Sequence, residues 1–374
     1  MQSPIFKTAL ILFLSAFLFL KCSKNNNPKP SFYLGGDLSY VNEMENCGGV
    51  YRDKTNKVDA FKFFAENGAN IVRVRLWHTP KFNRYSSLAD VEKTIKRAKN
   101  EGQAILLDLH YSDNWADPSK QIMPTAWQKT GSYAVLGDSV YRYTLSTLEY
   151  LHRKSLTPEM VQIGNEINIG IIQHPDSASS GPINWVRNAF LLNKGIEAVT
   201  FFNQKNNTRV ETMLHIAQPE NAEPWFKEAA LYNVKKYDWI GLSYYPKWSK
   251  FDLNQLGITI STLKSTHGKR IMIVETGFPY SSKEFDKANN VLGEDAALKN
   301  YPVSPEGQLS FMLDLKTKCK NVGAEGIIYW EPAWISTKCK TQWGEGSHWE
   351  NAAFFDAGNG NEALPVFKFL KSNF

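Results

Sequence analysis

The sequence predicts a single (β/α)8 barrel, and three observations carry that prediction. Eight short apolar runs are spaced along the chain, amphipathic segments separate them, and most runs end in polar or aromatic residues. Short apolar runs bounded by breakers fit strands buried on both faces, the condition of a parallel sheet covered by helices. Eight such strands alternating with helices over roughly 340 residues suit a closed TIM barrel with long loops. A doubly wound open sheet is the alternative. It would carry a glycine-rich phosphate loop after an early strand, and "GGDLSY" is not one.

The strands are read in order as Phe32–Asp37, Ile71–Trp77, Ala104–His110, Met160–Glu166, Glu211–Ile216, Trp239–Tyr245, Arg270–Thr276 and Gly326–Pro332. Between the first two, Val58, Phe61, Phe64 and Ala65 share a helical face and Gly68 follows. Leu88, Val91, Ile95 and Ala98 repeat the pattern ahead of Gly102, and Gly268 and Gly323 stand in the same place before the last two strands. Glycine just past a helix supplies the left-handed residue that ends it.

With 374 residues and 43% hydrophobic content, the chain can bury one large core. Aromatics make up 13%, with 11 Trp; most will fill cores, but such richness also suits stacking on sugar faces. The net charge of +6 is not gathered into a basic block, so nucleic-acid binding is not indicated.

Residues 1–30 read as a targeting segment and polar tether, and residues 31–374 as the catalytic domain. Lys7 precedes the apolar stretch "TALILFLSAFLFL", too short to span a bilayer comfortably. Cys22 and the polar "SKNNNPKP" follow. An apolar run ending at a cysteine resembles a bacterial lipoprotein signal, which implies a lipid anchor at Cys22 and an outer-membrane or cell-surface location. Lys21 stands where that signal has a small residue, so an ordinary secreted protein is the alternative. Either way the domain works outside the cytoplasm.

Active sites of such barrels lie at the C-terminal strand ends. Those ends hold Asp37; Arg75 and Trp77; Asp108, His110 and Asp113; Asn165 and Glu166; His215; Tyr244; Glu275; and Trp330, Glu331 and Trp334. One polar end can be structural, for instance a carboxylate at a helix start. Polar ends on every strand converge in one wet pocket. Glu166 closes "MVQIGNE" and Glu275 closes "IMIVE". Two glutamates facing each other across a barrel mouth is the arrangement of glycoside hydrolysis, in which one donates a proton to the leaving oxygen and the other attacks or activates water. HExxH, CxxC and GxSxG are all absent, which removes sequence support for a zincin, a structural zinc site and a serine hydrolase. An amidohydrolase-type metal site needs paired histidines on the first strand, and "FYLGGDLSY" has none.

The stretches "GGDLSYVNEMENCGG", "RVRLWHTP", "LLDLHYSDNWADPSKQIMPTAW", "QIGNEINIG", "GLSYYPKW", "IVETGFP", "GIIYWEPAW" and "GSHWENAAFFD" resemble the arabinogalactan endo-β-1,4-galactanases, glycoside hydrolase family 53. The match runs from Gly35 to Asp356. It implies a retaining double displacement on β-1,4-galactan, with Glu166 as acid/base, Glu275 as nucleophile and the two carboxyls about 5–5.5 Å apart. Glu166 must then hold a proton while Glu275 stays ionised. Arg75 is the expected cation beside Glu275, with Arg73 ranked second; Tyr244 is expected to orient the same carboxylate, and Asn165 to bond the sugar 2-OH. Trp77, Trp115, Trp330 and Trp334 are expected to stack on galactose. Asp108, His110, Asp113 and His215 would bond hydroxyls or hold neighbours.

Some bacterial members bind calcium in the loop after the seventh strand through a compact acidic run. Here the loop has Asp286, Asn289 and Asn290 but not that run, so no metal or other cofactor is expected. The barrel also bears on the cysteines. Cys47 and Cys339 fall in loops after the first and eighth strands, neighbours at the top of a closed barrel. Cys319 falls toward the bottom, a strand length of roughly 20 Å away. Cys47–Cys339 is therefore the expected bridge. A monomer with an open cleft is the default. The rival readings are another β-glycanase specificity on the same scaffold and a surface glycan-binding protein without turnover.

Overall fold

Apolar side chains on both faces of eight short strands leave no face for water, and the chain hides both by closing the sheet and wrapping it in helices. The computed structural model describes residues 30–176 and 181–371. The apolar targeting run and Cys22 lie outside the described residues. In order the barrel strands are Tyr33–Asp37, Ile71–Leu76, Ala104–Leu109, Met160–Ile163, Glu211–Ala217, Trp239–Tyr244, Arg270–Thr276 and Gly326–Tyr329. Each pairs in parallel with its sequence neighbours, and the first also pairs with the eighth, closing the barrel. The fourth and eighth strands stop earlier than their apolar runs suggest. Gly164 (φ 85°) and Glu166 (φ 45°) turn the chain after Ile163, and Glu331 (φ 45°) does so after Tyr329.

Helices Leu88–Asn100, Tyr133–Arg153, Trp185–Asn206, Pro219–Leu231, Leu253–His267 and Pro305–Asn321 cover the outside, with Ala60–Glu66 after the first strand. Several starts are fixed by side chains: Asp252 and Gln255 form a capping box, and Asp59 and Ser304 accept first-turn amides. A small sheet of Tyr51–Asp53, Asn56–Val58, Phe355–Asp356 and Glu362–Ala363 had no signature in the sequence reading. Val58, expected on a helical face, lies in it.

Alternate residues of each strand point into the barrel. The lower interior is plugged by Tyr33, Ile71, Leu106, Met160, Met213, Trp239, Met272, Val274 and Ile328. Gly35 makes the closure possible, since a Cβ there would sit 1.8 Å from the carbonyl oxygen of Ile71 on the adjoining strand. One strand breaks the alternation. Leu242 pairs with Ile273 but Ser243 pairs with Glu275, so Val274 is an extra residue in the seventh strand. That bulge reverses the parity beyond it and turns Glu275 inward, as bulges beside active sites do.

The disulfide forms between Cys47 and Cys339, with Cα atoms 5.5 Å apart, and Cys319 is a buried free thiol. The bridge pins the loop that leads into the hairpin Lys340–Thr341/Gly344–Glu345, which carries Trp343 between its strands.

Candidate active site

Above the apolar plug lies a polar layer built around one cation. Arg73 is 1% exposed. Its guanidinium stands 2.9 Å from Asp37, Asp108 and Glu275, and it donates to the Asn165 side-chain oxygen at 2.7 Å. The expectation that Arg75 holds Glu275 is thereby corrected. Arg75 lies two residues further up the same strand face, pairs with the buried Glu331, and packs its guanidinium 4.3 Å from the ring centres of Tyr40 and Trp115. The assignment of Tyr244 is corrected too. Strand alternation turns Tyr244 outward, where its hydroxyl donates to the Phe251 carbonyl. Tyr245 shares the inward parity of Ser243, and its hydroxyl donates to Glu275 Oε2 at 3.0 Å.

Glu166 faces a different set of partners. Its backbone amide donates to His215 Nδ1 at 3.3 Å, which leaves the proton of that ring on Nε2. Nε2 donates to Ser243 Oγ at 2.8 Å, and Ser243 donates in turn to Glu166 Oε1 at 2.5 Å. Burial and the nearby Arg73 charge hold the His215 pKa well below its ordinary value, so this relay is neutral. Carboxylate oxygens of Glu166 and Glu275 and a ring nitrogen of His215 all lie within 4.8 Å of one another.

The two carboxyls share one cleft and titrate as a pair. Burial, then the Glu275 charge, drive Glu166 well above the usual carboxylate range. Burial also pushes Glu275 up, to about 7, while Arg73 and the Tyr245 hydroxyl pull it back. Glu275 therefore gives up its proton before Glu166 does. That is the division of labour a paired acid and nucleophile needs.

The cleft has a volume of about 600 Å³. Of the residues expected from sequence, Glu166, Glu275, Asn165, Trp115, Trp330 and Trp334 line it. Asp108, His110 and His215 lie beneath its floor, buried to 2% exposure or less. His110 receives the Ala116 amide on Nδ1 and so donates from Nε2 to Asp108 at 2.9 Å. Two expected residues lie elsewhere. Asp113 accepts the amides of Thr79 and Thr125 and ties two loops together. Trp77 packs edge-on against Trp115 and does not reach the cleft.

Sequence reasoning missed Ser243, Tyr245, Trp248, Trp343 and Trp349. Strand parity would have found the first two. Trp349 stands edge-on to Trp330 at 4.7 Å. It approaches because Gly277 has no side chain; a Cβ there would lie 2.4 Å from the indole ring. The indole N–H groups of Trp115, Trp334 and Trp349 have no partner among the described residues.

The loop after the seventh strand lacks the compact acidic run, and its Asp286 is held by protein donors, where calcium would take 6–8 oxygen ligands. Asp286 accepts from Ser336 Oγ and from the amides of Ala288 and Ser347. A side-chain hydrogen bond joins it to Glu350, whose pKa burial pushes up to about 8. Glu350 Oε2, Asn290 Oδ1 and Asn351 Oδ1, beside that pair, are buried without a hydrogen-bond partner among the described residues.

The family model for glycosyl hydrolase family 53 matches residues 33–370. The chain is 53% identical over 343 residues to an arabinogalactan endo-beta-1,4-galactanase of Cellvibrio japonicus, covering 92% of this chain and 91% of that protein. It is 33% identical to an endo-beta-1,4-galactanase of Bacillus subtilis, over 87% of this chain and 75% of the relative. Among solved structures, the Ignisphaera aggregans GH53 catalytic domain superposes with a TM-score of 0.83 at 32% identity, covering 91% of this chain and 96% of that one.

Proposed function

We infer that this chain, which belongs to glycosyl hydrolase family 53, is an arabinogalactan endo-β-1,4-galactanase that cleaves by retaining double displacement. The observation that carries the mechanism is the approach of the two carboxyls. Oxygens within 4.8 Å fit the short separation of retaining enzymes. Inverting enzymes hold their carboxyls about 6.5–9.5 Å apart to admit a water.

Glu275 attacks the anomeric carbon, and the bond from that carbon to the leaving oxygen breaks as Glu166 transfers its proton to that oxygen. A galactosyl ester of Glu275 results. Glu166, now a carboxylate, takes a proton from water as the water oxygen attacks the same carbon and releases Glu275. Both glutamates regain their starting states. Arg73 and Tyr245 position Glu275 and favour its charge. Ser243 and His215 position Glu166 through neutral hydrogen bonds. The indole walls exclude water from one side of the sugar and offer apolar faces to it.

The substrate reading is tested by reducing-end release from unbranched β-1,4-galactan, with products sized over time. Early mixed oligomers that disappear with Glu275→Gln support it. Release from a different β-glycan alone would keep the chemistry and remove the substrate.

We also propose that the enzyme acts as a monomer without a metal or other cofactor, outside the cytoplasm, anchored through lipid on Cys22. The apolar run before Cys22 and the polar tether after it support the anchor. Cys22→Ser should move the protein from the detergent phase to the aqueous phase on phase partitioning; unchanged partitioning argues for plain secretion.

A further inference from the structure

A second cavity, of about 490 Å³, opens between the loops after the third and fourth strands and shares no lining residue with the catalytic cleft. Two long helices begin at its wall, Tyr133–Arg153 behind Ser132 and Trp185–Asn206 behind Asn184. Ser132 Oγ accepts the Val135 amide and Asn184 Oδ1 the Arg187 amide, the remaining first-turn amides have no partner inside their own helix, and the macrodipole makes that end positive. A helix start alone is common; Asn188 adds an independent feature. It lines the cavity, is 2% exposed, and neither its side-chain nitrogen nor its side-chain oxygen has a hydrogen-bond partner among the described residues. A buried amide unpaired at both ends is costly unless a ligand or water completes it.

The charge lining the cavity has one sign among the described residues. Arg187 lines it and donates to the carbonyl oxygens of Ile171 and Ile172, with no carboxylate among its partners. Burial lowers its pKa, and no acidic group counters that. Among the described residues, no Asp or Glu lines the cavity. Asp176, 3.3 Å from His174, has a side chain 90% exposed. Tyr133, half exposed, offers an aromatic face at the rim. Amide and hydroxyl groups with an aromatic face suit a saccharide, and a cation without a counter-ion beside two helix starts suits an anion.

We propose that this cavity is a non-catalytic site for a carboxylate-bearing saccharide, a uronic-acid unit. The carboxylate faces Arg187 and the helix starts, Asn188 exchanges hydrogen bonds with ring hydroxyls, and Tyr133 packs on the sugar face. Such a site would hold the enzyme on an acidic polysaccharide while the cleft works on a neutral chain.

The test is calorimetric titration of the full-length protein with a galacturonic acid trimer, beside neutral galactobiose and acetate as controls. The uronate should bind with an affinity that falls as salt is raised. Tyr133→Ala and Asn188→Leu should each weaken it about tenfold or more, the loss of one good contact, while hydrolysis of neutral galactan stays unchanged. Asn188→Leu should not lower the melting temperature, since it removes an unpaired buried amide. Equal binding of acetate would overturn the saccharide. Uronate binding that survives both substitutions would move the site elsewhere, and an absence of uronate binding would sink the proposal. The binding outcomes do not depend on the substrate of the cleft.

Discussion

The two glutamates sit within one cleft, yet the walls behind them are built from different materials. Behind Glu275 stand a guanidinium and a phenol, and Arg73 ties that carboxylate to Asp37 and Asp108. Behind Glu166 runs a neutral chain of Ser243 and His215. Both carboxyls are buried, so both are pushed toward the protonated form. What separates them is that only one wall offers a positive charge within contact. The same residue type thus becomes nucleophile or acid according to the charge behind it, and one barrel mouth can supply both settings.

The largest effect should come from removing either role. Glu275→Gln should lower kcat on galactan by about 10⁴-fold or more, as losses of a nucleophile do. Glu166→Gln should do similar damage on galactan, but an aryl galactoside with a good leaving group should still show a burst of phenol, because its departure needs no proton. Azide should then rescue turnover of that substrate, giving the β-galactosyl azide. Rescue of Glu275→Gln to the β-product instead would exchange the two assignments.

The next largest should distinguish the two arginines. Arg73→Met strands three buried carboxylates and should cost about 3–5 kcal/mol of stability along with most of the activity. Arg75→Met strands only Glu331 and should destabilise comparably, yet the surviving folded enzyme should keep the acid limb of its kcat/KM profile in place. A shift of that limb in Arg75→Met would return Arg75 to the role assigned here to Arg73.

Between the tyrosines the contrast is sharper and the effect smaller. With Glu275 lifted to about 7, kcat/KM should rise as pH increases through that region and fall once Glu166 ionises. The Tyr245 hydroxyl favours the charged form of Glu275, so Tyr245→Phe should move the acid limb to higher pH and cut neutral activity by about tenfold or more. Tyr244→Phe should leave the limb alone and cost about 0.5–1.5 kcal/mol for the lost bond to the Phe251 carbonyl.

These contrasts also mark what sequence could and could not reveal. The barrel was legible because strands buried on both faces write themselves as unbroken apolar runs, and the paired glutamates because a carboxylate closing such a run is conspicuous. Cys47 and Cys339 were paired correctly because closure makes the first and eighth strands neighbours. Arg73 against Arg75 was not legible, since both share a face and only the register across strands decides which one reaches Glu275. Tyr245 and Ser243 were within reach, because they share parity with Gly241, but the aromatic pair drew attention to the wrong tyrosine. Glu275 shows the opposite failure. Its even-numbered neighbours Met272 and Val274 point inward, so strict alternation would have turned Glu275 outward, and the bulge that corrects this depends on the partner strand. Trp349 lies far along the chain in a loop whose path no local pattern encodes.

Among the groups that touch the two glutamates, the smallest predicted effect on activity bears most directly on the neutral wall. Ser243 donates to Glu166, and a donor favours the ionised form of a carboxyl, so the hydroxyl holds the Glu166 pKa down against burial. Ser243→Ala should therefore raise that pKa further and carry the alkaline limb of kcat/KM to higher pH, with the acid limb set by Glu275 nearly fixed. Activity at neutral pH should change only about threefold, because Glu166 is already protonated there. The substitution also leaves the His215 Nε2–H buried without an acceptor, costing about 1–3 kcal/mol of stability. Ser243→Thr, which restores the hydroxyl, should bring the limb back. If the alkaline limb stays put in Ser243→Ala while the protein merely loses stability, the relay is structural, and the asymmetry between the two walls rests on Arg73 and Tyr245 alone.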